Sequence, residues 1–153
     1  MRLFSILRSN SFFSASEQQK IVAAIGHAEK QTSGEIRVYV ESRCRYVNPL
    51  DRAAEVFMSL KMEDTKARNA VLVYIALKDR QLAVYGDKGI HEKVGNSFWN
   101  EKVREMLSHF NRKNYAQGLV SIILQVGEAL RLHFPYDGAT DINELPDDIV
   151  FGR

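Results

Sequence analysis

The chain has 153 residues, of which 45% are hydrophobic and 26% are charged, values typical of one domain that buries its own core. A single cysteine, Cys44, excludes an internal disulfide. No stretch approaches the roughly 20 apolar residues of a membrane span, and residues 1–13 lack the apolar core of a secretion signal. We therefore expect a cytoplasmic protein that is not integral to a membrane.

The net charge of +2 conceals an uneven distribution along the chain. Residues 135–153 hold five acids and one base, whereas residues 1–134 hold 20 bases and 14 acids. The bases are spread out and do not cluster with stacking aromatic residues, which excludes a typical nucleic-acid groove. We predict a domain over residues 1–134, with an N-terminal extension of residues 1–13, and an acidic tail over residues 135–153 that packs on the domain.

The first predicted elements are a helix and a strand. Ser14 followed three residues later by Glu17 forms a capping box, and apolar residues then recur at helical spacing until a stop near Gly34. Residues 35–41 alternate apolar and polar side chains, as in a strand with one buried face. This strand begins the predicted sheet.

The next elements predict a mixed sheet. Asn48 and Pro49 begin a second helix that ends near Lys61. Residues 70–76 are apolar without alternation, which indicates a central strand covered on both faces. The connection to residues 81–86 is too short for a helix, so these two strands pair as an antiparallel hairpin, whereas the strand–helix–strand unit before them forms a parallel crossover.

Two further helices complete the predicted fold. Apolar residues at helical spacing predict helices over residues 97–111 and 115–134, and Pro135 stops the second. The fold class is therefore α/β, a three-layer α/β/α sandwich around a short mixed sheet, in which the first two strands are parallel and the third is antiparallel.

Several short strings resemble one known family. They are TSGEIRV at residues 32–38, RNAVLVY at 68–74, KDR at 78–80, YGDKGI at 85–90 and NYAQGL at 114–119. Their patterns and order resemble the TPM domain, a family that includes a thylakoid-lumen protein described as an acid phosphatase and many bacterial proteins.

The resemblance covers about residues 14–134, and it implies the same three-layer sandwich. Residues 134–136 and 142–149 look like a tail of stand-alone bacterial members. Calcium binding and phosphatase activity are associated with the family, so both are expectations that the resemblance implies. Fold alone does not carry chemistry with it.

The strand directions bring one set of acidic residues together. The third strand ends at the sheet edge where the first two begin, so Glu35, Asp87 and the loop residue Asp64 converge there. Carboxylate oxygens are the ligands that calcium requires, and we predict these three residues as a metal site. The alternative is that Glu35 and Asp87 form ordinary ion pairs with nearby bases, which are Arg37, Arg68 and Lys88.

The opposite edge of the sheet collects a second polar set, where the first two strands end. Open α/β sheets usually bind ligands at this edge. Asp79 and Arg80 are the candidate catalytic residues, as an acid and a phosphate clamp, with Arg43 and Arg45 as further clamps. The alternative is that residues 78–80 are ordinary turn residues of a hairpin.

Two functional hypotheses follow, and the residues leave open whether the chain is an enzyme. The first is a non-enzymatic domain that binds a divalent cation, namely calcium, and contacts another protein. The alternative is a phosphatase-like hydrolase that acts on phosphomonoesters. Neither hypothesis includes an organic cofactor or a nucleic-acid partner.

Overall fold

The computed structural model describes residues 13–111, 114–136, 138 and 149–152. Helices and strands alternate along most of the chain. In chain order the elements are α1 (Ala15–Glu29), β1 (Glu35–Glu41), α2 (Pro49–Ser59), β2 (Ala70–Ala76), β3 (Gln81–Gly86), α3 (Lys88–Asn111), α4 (Tyr115–His133) and β4 (Ile149–Phe151).

Local capping places the first two helices. The Ser14 N–H donates to the Glu17 carboxylate at 2.9 Å, and the Glu17 N–H donates to the Ser14 hydroxyl at 3.1 Å, which is the predicted capping box. At the start of α2 the Asn48 side chain accepts a hydrogen bond from the Leu50 N–H at 2.9 Å, with Pro49 as the first helical residue. These sequence signals therefore act as predicted.

The sheet has the strand order β3-β2-β1-β4. Strands β1 and β2 are parallel over the whole of β1, and Glu35 lies beside Ala70. Strands β2 and β3 are antiparallel, and Val71 lies beside Gly86. The predicted mixed α/β fold is confirmed. The expectation of three strands is corrected to four, because β4 pairs with β1 in parallel and the Gly152 N–H donates to the Val40 carbonyl at 2.6 Å.

Strand β4 has three residues, which is too short to show an alternating pattern in the sequence. The acidic residues that defined the predicted tail, Asp137, Asp141, Glu144, Asp147 and Asp148, lie outside the described residues, as do residues 1–12 of the predicted extension.

Two hydrophobic clusters cover the two faces of the sheet. On one face β1 and β2 side chains such as Val38 and Val73 pack with α1, α3 and α4. On the other face Leu72 and Tyr74 pack with Phe57 of α2. This arrangement is the predicted three-layer sandwich. Among the described residues, no helix combines the length and the apolar character needed to cross a bilayer.

Helix α3 begins nine residues before the predicted start at Ser97. The Asp87 carboxylate accepts a hydrogen bond from the Lys88 N–H at 2.8 Å where the helix begins. Gly95 then breaks the helix with φ 76° and ψ 174°, a conformation that essentially only glycine adopts. The first segment is short and polar, so it shows no helical period of its own.

Candidate functional site

A cavity of about 680 Å³ lies where the parallel strands β1 and β2 end, and we name it the strand-end pocket. Its position is the one at which open α/β sheets usually bind ligands. Its lining mixes three arginines, three carboxylates and two tyrosines with Ser42 and Cys44; these charged and aromatic residues are Tyr39, Glu41, Arg43, Arg45, Tyr46, Arg52, Glu55 and Asp79.

Asp79, one of the two predicted catalytic residues, lines this pocket. Its Oδ2 accepts a hydrogen bond from the Cys44 N–H at 2.7 Å, and its Oδ1 accepts one from Arg43 Nη1 at 3.2 Å. The carboxylate thus ties the β1–α2 loop to the turn between β2 and β3. The other predicted residue, Arg80, is exposed in that turn with φ 52°, and it is not part of the pocket lining.

Glu41 anchors the floor of the pocket. Its side chain is 7% exposed and accepts hydrogen bonds from Arg52 Nε at 2.9 Å and Nη2 at 3.0 Å, as well as from the Tyr74 hydroxyl. Burial and the hydrogen bond to Glu41 raise the pKa of Tyr74 far above its usual value, so the hydroxyl keeps its proton. The same carboxylate raises the pKa of Arg52, mainly through hydrogen bonding.

Glu55 closes one side of the pocket. Its carboxylate accepts hydrogen bonds from the Tyr46 hydroxyl and from Arg52. Both donors lower the pKa of Glu55, the tyrosine more strongly, and the hydrogen bond in turn raises the pKa of Tyr46. The Arg52 guanidinium also lies 5.8 Å from the centre of the Tyr39 ring. Arg52 therefore uses three of its five N–H groups on protein carboxylates, and its side chain is 22% exposed.

The other two arginines of the pocket keep N–H groups that are free to bind a ligand. The Arg43 side chain is 69% exposed and makes one 3.2 Å contact with Asp79. Arg45 is exposed and makes no hydrogen bond or ion pair with the residues that the structure describes. The pocket thus presents one uncommitted guanidinium and one that is partly committed. An anionic group, such as a phosphate, is the natural complement of such donors.

At the opposite edge of the sheet, Asp87 lies where the strand directions predict. Its side chain is 5% exposed, and both of its oxygens accept hydrogen bonds from Arg68, from Nε at 2.6 Å and from Nη2 at 2.9 Å. This is the ion pair that the sequence offers as the alternative to a metal site. The bidentate pair and the Lys88 N–H use most of the acceptor capacity of the carboxylate.

The other two predicted metal ligands are positioned differently. Glu35 is buried and lies on the far side of β2 from Asp87, about two interstrand spacings or 10 Å away. Asp64 is exposed in the loop before β2. In the described parts of the chain, no three histidine, cysteine, aspartate or glutamate side chains gather as a metal ion requires. Metal binding by Glu35, Asp64 and Asp87 stays a prediction.

The sequence did not identify three residues of this network, which are Arg52, Glu55 and Tyr74. Arg52 and Glu55 are three positions apart on α2, which places both on the helix face beside β1, but such pairs are common on solvated helices. Tyr74 lies within an apolar run whose sequence does not reveal that its hydroxyl meets a carboxylate. The pocket was predictable in location but not in its network.

The fold and the site define an α/β/α domain with an open mixed sheet and a polar pocket at the ends of its parallel strands. The family profile described as the TPM domain matches residues 6–129. The chain belongs to the TPM-domain family, as the sequence strings predicted.

Solved structures agree with this assignment. The BA42 protein of the psychrophilic bacterium Bizionia argentinensis is 44% identical, with a TM-score of 0.84 over 92% of this chain and 96% of that one. The N-terminal domain of the cg2496 protein of Corynebacterium glutamicum is 16% identical, with a TM-score of 0.63 over 78% and 75% of the two chains.

The N-terminal domain of a Porphyromonas gingivalis (P. gingivalis) protein is 18% identical, with a TM-score of 0.64 over 88% and 82% of the two chains. The two more distant structures show the fold alone. No curated protein matches the chain significantly.

Proposed function

We propose that the chain binds a phosphate-bearing ligand in the strand-end pocket together with a divalent cation, with calcium as the favoured ion. One observation carries this proposal: the uncommitted guanidinium of Arg45 and the partly exposed carboxylate of Asp79 line the same cavity. Arg45 would pair with the ligand's phosphate, and Asp79 would supply a carboxylate oxygen to the cation.

Asp79 has the acceptor capacity for this role. A carboxylate offers about four lone-pair positions. Asp79 uses two of them, toward Arg43 and the Cys44 N–H, and its side chain keeps 25% exposure. Magnesium is held in this way, by one or two carboxylates with phosphate oxygens and water, and calcium, which takes about six to eight oxygen ligands, would draw more of them from phosphate and water. This shared coordination accounts for a cation without requiring a preformed cluster of acids.

The proposal predicts that calcium and the phosphate ligand promote each other's binding, because each completes the other's site. Phenylphosphonate, a phosphomonoester analogue that is not hydrolysed, serves as the probe in an NMR titration of amide shifts. With millimolar calcium we expect shifts at Cys44, Arg45 and Asp79 and about tenfold tighter binding than without calcium, a difference of about 1.4 kcal/mol.

Matched variants locate the site. Arg45→Gln removes the guanidinium and weakens phenylphosphonate binding, whereas Arg104→Gln, an exposed position on α3, leaves it unchanged. Asp79→Asn abolishes the calcium dependence but keeps part of the binding to Arg45. Equal affinity with and without calcium rejects the shared cation. Equal affinity in Arg45→Gln and the parent protein rejects the phosphate site.

Calcium binding at the other edge, through Glu35, Asp64 and Asp87, stays a separate prediction. Calcium alone, without a phosphate ligand, is its test. Shifts centred on Glu35 and Asp87 support that edge, although the ion must then compete with Arg68 for the Asp87 oxygens. An absence of shifts there up to millimolar calcium contradicts it.

Hydrolysis of the bound phosphomonoester is the alternative outcome that the family's association with phosphatases suggests. Water would attack the phosphorus and the alcohol would leave; a divalent cation held by Asp79 would supply Lewis-acid assistance, and the arginines would stabilise charge on the phosphoryl group. The test is turnover of 4-nitrophenyl phosphate with calcium, magnesium or no metal. No turnover, or turnover that is equal in Asp79→Ala, rejects the hydrolase hypothesis and leaves binding alone.

Docking of another protein is a second candidate function, and the exposed apolar side chains favour it. Four large ones fall within residues 46–58, and Val47 is fully exposed. The second face of β1, by contrast, is covered, since Arg37 is buried and Tyr39 half-buried. The four apolar residues are Tyr46, Val47, Leu50 and Met58.

We propose a second copy of the chain as the occupant of this patch, because bases and acids such as Arg45, Asp51 and Glu55 lie among these residues in the chain and a two-fold interface pairs them reciprocally. Sedimentation at rising protein concentration is the test. Association that Val47→Asp abolishes and Leu132→Asp, an exposed position on α4, does not abolish supports the dimer. A monomer at all concentrations rejects it.

A further inference from the structure

A second cavity of about 380 Å³ runs along the end of β3, and we name it the edge cleft. Its lining includes the β3–α3 junction, which lies at the opposite end of the sheet from the strand-end pocket, and it also reaches Leu50 in the first turn of α2. Its lining comes from β3, α3, the start of α2 and Arg68; these residues are Leu50, Arg68, Val84, Tyr85, Gly86, Asp87, Lys88, His91, Asn96, Trp99 and Asn100.

The indole of Trp99 forms one wall of the edge cleft. Only 7% of the residue is exposed, and its Nε1–H donates to His91 Nδ1 at 3.0 Å. A Cβ at Gly86 would stand 2.3 Å from the indole ring, so the glycine is what lets the ring lie against β3. The helix break at Gly95 redirects α3 just before Trp99. The result is a fixed aromatic surface beside the strand.

The polar groups of the cleft are mainly donors. Because His91 Nδ1 accepts the indole hydrogen, the neutral imidazole carries its own hydrogen on Nε2. Arg68 uses two of its five N–H groups for Asp87, and its side chain, 39% exposed, makes no other hydrogen bond to the described residues. Lys88 is exposed at the rim.

The cleft offers few free hydrogen-bond acceptors to a ligand. Among the described residues that line the cleft, the one carboxylate is Asp87, which is occupied by Arg68 and by the Lys88 N–H; the charge of Glu63, outside the lining, also acts on Arg68. Two asparagine amides, Asn96 and Asn100, complete the rim. The lining therefore carries two cations, Arg68 and Lys88, against one carboxylate, and it presents N–H donors over an aromatic and aliphatic wall.

We infer that the edge cleft is a second ligand site, which binds a small aromatic carboxylate. The aromatic ring of the ligand packs against Trp99 and Leu50. Its carboxylate takes the free edge of the Arg68 guanidinium, whose planar donors match two carboxylate oxygens, with Lys88 at the rim. A volume of 380 Å³ suits a ligand of one or two rings. The edge cleft and the strand-end pocket share no lining residue, so these two proposals stand or fail separately, whereas Leu50 also belongs to the proposed dimer patch.

Benzoate is the probe, and the readout is the chemical shift of the Trp99 indole N–H. Trp99 is the only tryptophan, so this resonance needs no assignment by mutation. We expect saturable shifts of the indole N–H and the Gly86 amide, with a dissociation constant in the millimolar range because so small a ligand makes few contacts. Benzamide, which keeps the ring without the charge, and acetate, which keeps the charge without the ring, bind more weakly.

A pair of lysine variants tests the charge. Lys88→Gln weakens benzoate binding roughly two- to fivefold, as an exposed charge contributes, and leaves benzamide binding unchanged. Lys93→Gln, an exposed position on the same helix outside the cleft, changes neither. The inference is overturned if benzoate leaves both resonances in place, if benzamide or acetate binds as tightly as benzoate, or if the two lysine variants behave alike.

Discussion

At the scale of single residues, Glu41 has the most demanding role in the strand-end pocket. It is 5% exposed and holds both Arg52 and the Tyr74 hydroxyl. Glu41→Ala leaves the Tyr74 hydroxyl without its acceptor and leaves Arg52 with Glu55 as its remaining carboxylate partner. We expect the free energy of unfolding to fall by about 3 kcal/mol, the low end for breaking a buried ion pair, since the Arg52 side chain keeps 22% exposure. Urea denaturation measures this change.

The control is Glu128→Ala, which removes the exposed partner of Arg131 on α4. Exposed pairs contribute little, so this variant stays close to the parent protein. Glu41→Gln preserves the shape but not the charge, and it falls between the two. If Glu41→Ala were as stable as Glu128→Ala, the hydrogen-bond network of Glu41 would not contribute to the free energy of unfolding.

Tyr74 makes the fold sensitive to alkali. Its pKa is raised in the folded state, by burial first and by Glu41 second, whereas an unfolded tyrosine ionises near pH 10. The protonated hydroxyl therefore stabilises the fold fully below about pH 10, and this contribution declines as the pH rises beyond it.

We expect tyrosinate absorbance from Tyr74 to appear only together with loss of circular dichroism. Its share of the absorbance is the difference between the parent protein and Tyr74→Phe. Ionisation of Tyr74 in a folded protein contradicts the assigned role of the hydroxyl.

At the scale of elements, Gly95 sets the course of α3. A side chain at φ 76° and ψ 174° is strained even though open space surrounds the position. We expect Gly95→Ala to lower the free energy of unfolding by about 1–3 kcal/mol and to shift the Trp99 indole resonance. Ser97→Ala, at an exposed helical position, leaves both unchanged or stabilises slightly. An unshifted indole resonance in Gly95→Ala shows that the break does not position Trp99.

The elements also show which signals the sequence carries. Local signals sufficed where a cap or a period is strong, as at Ser14, at Pro49 and in the apolar run of β2. They failed for the first segment of α3 and for β4, because each is short and depends on tertiary contacts. Leu50 stands at helical spacing before Ala53 and Phe57, yet it is 44% exposed, since α2 turns Ala53, Val56 and Phe57 inward.

At the scale of the whole molecule, strand direction was the most informative prediction. Parallel β1 and β2 with antiparallel β3 sorted the polar residues onto two opposite edges, and the registers confirm this sorting. The sequence did not predict which acid pairs with which base at those edges. Asp87 lies near several bases, and only the folded geometry selects Arg68. The strand-end pocket likewise depends on Arg52, which reaches Glu41 across the gap between α2 and β1.

The position of β4 leads to a prediction about how the end of the chain stabilises the whole sheet. Ile149 is 9% exposed and lies beside Val38, and the Gly152 N–H bonds the Val40 carbonyl. Ile149→Ala should lower the free energy of unfolding by about 2–3 kcal/mol, as for other buried isoleucines, whereas Leu132→Ala, 69% exposed, should not.

Deletion of residues 149–153 should cost more than Ile149→Ala, because it also turns β1 into an unprotected edge that can pair with other chains. Urea denaturation and light scattering measure the two effects. A shortened chain that is as stable and as monodisperse as the full chain would show that β4 does not stabilise the sheet. The expected result, lower stability together with association, follows from the position of β1, since the strand at the centre of the parallel pairing would then expose its backbone donors and acceptors to solvent.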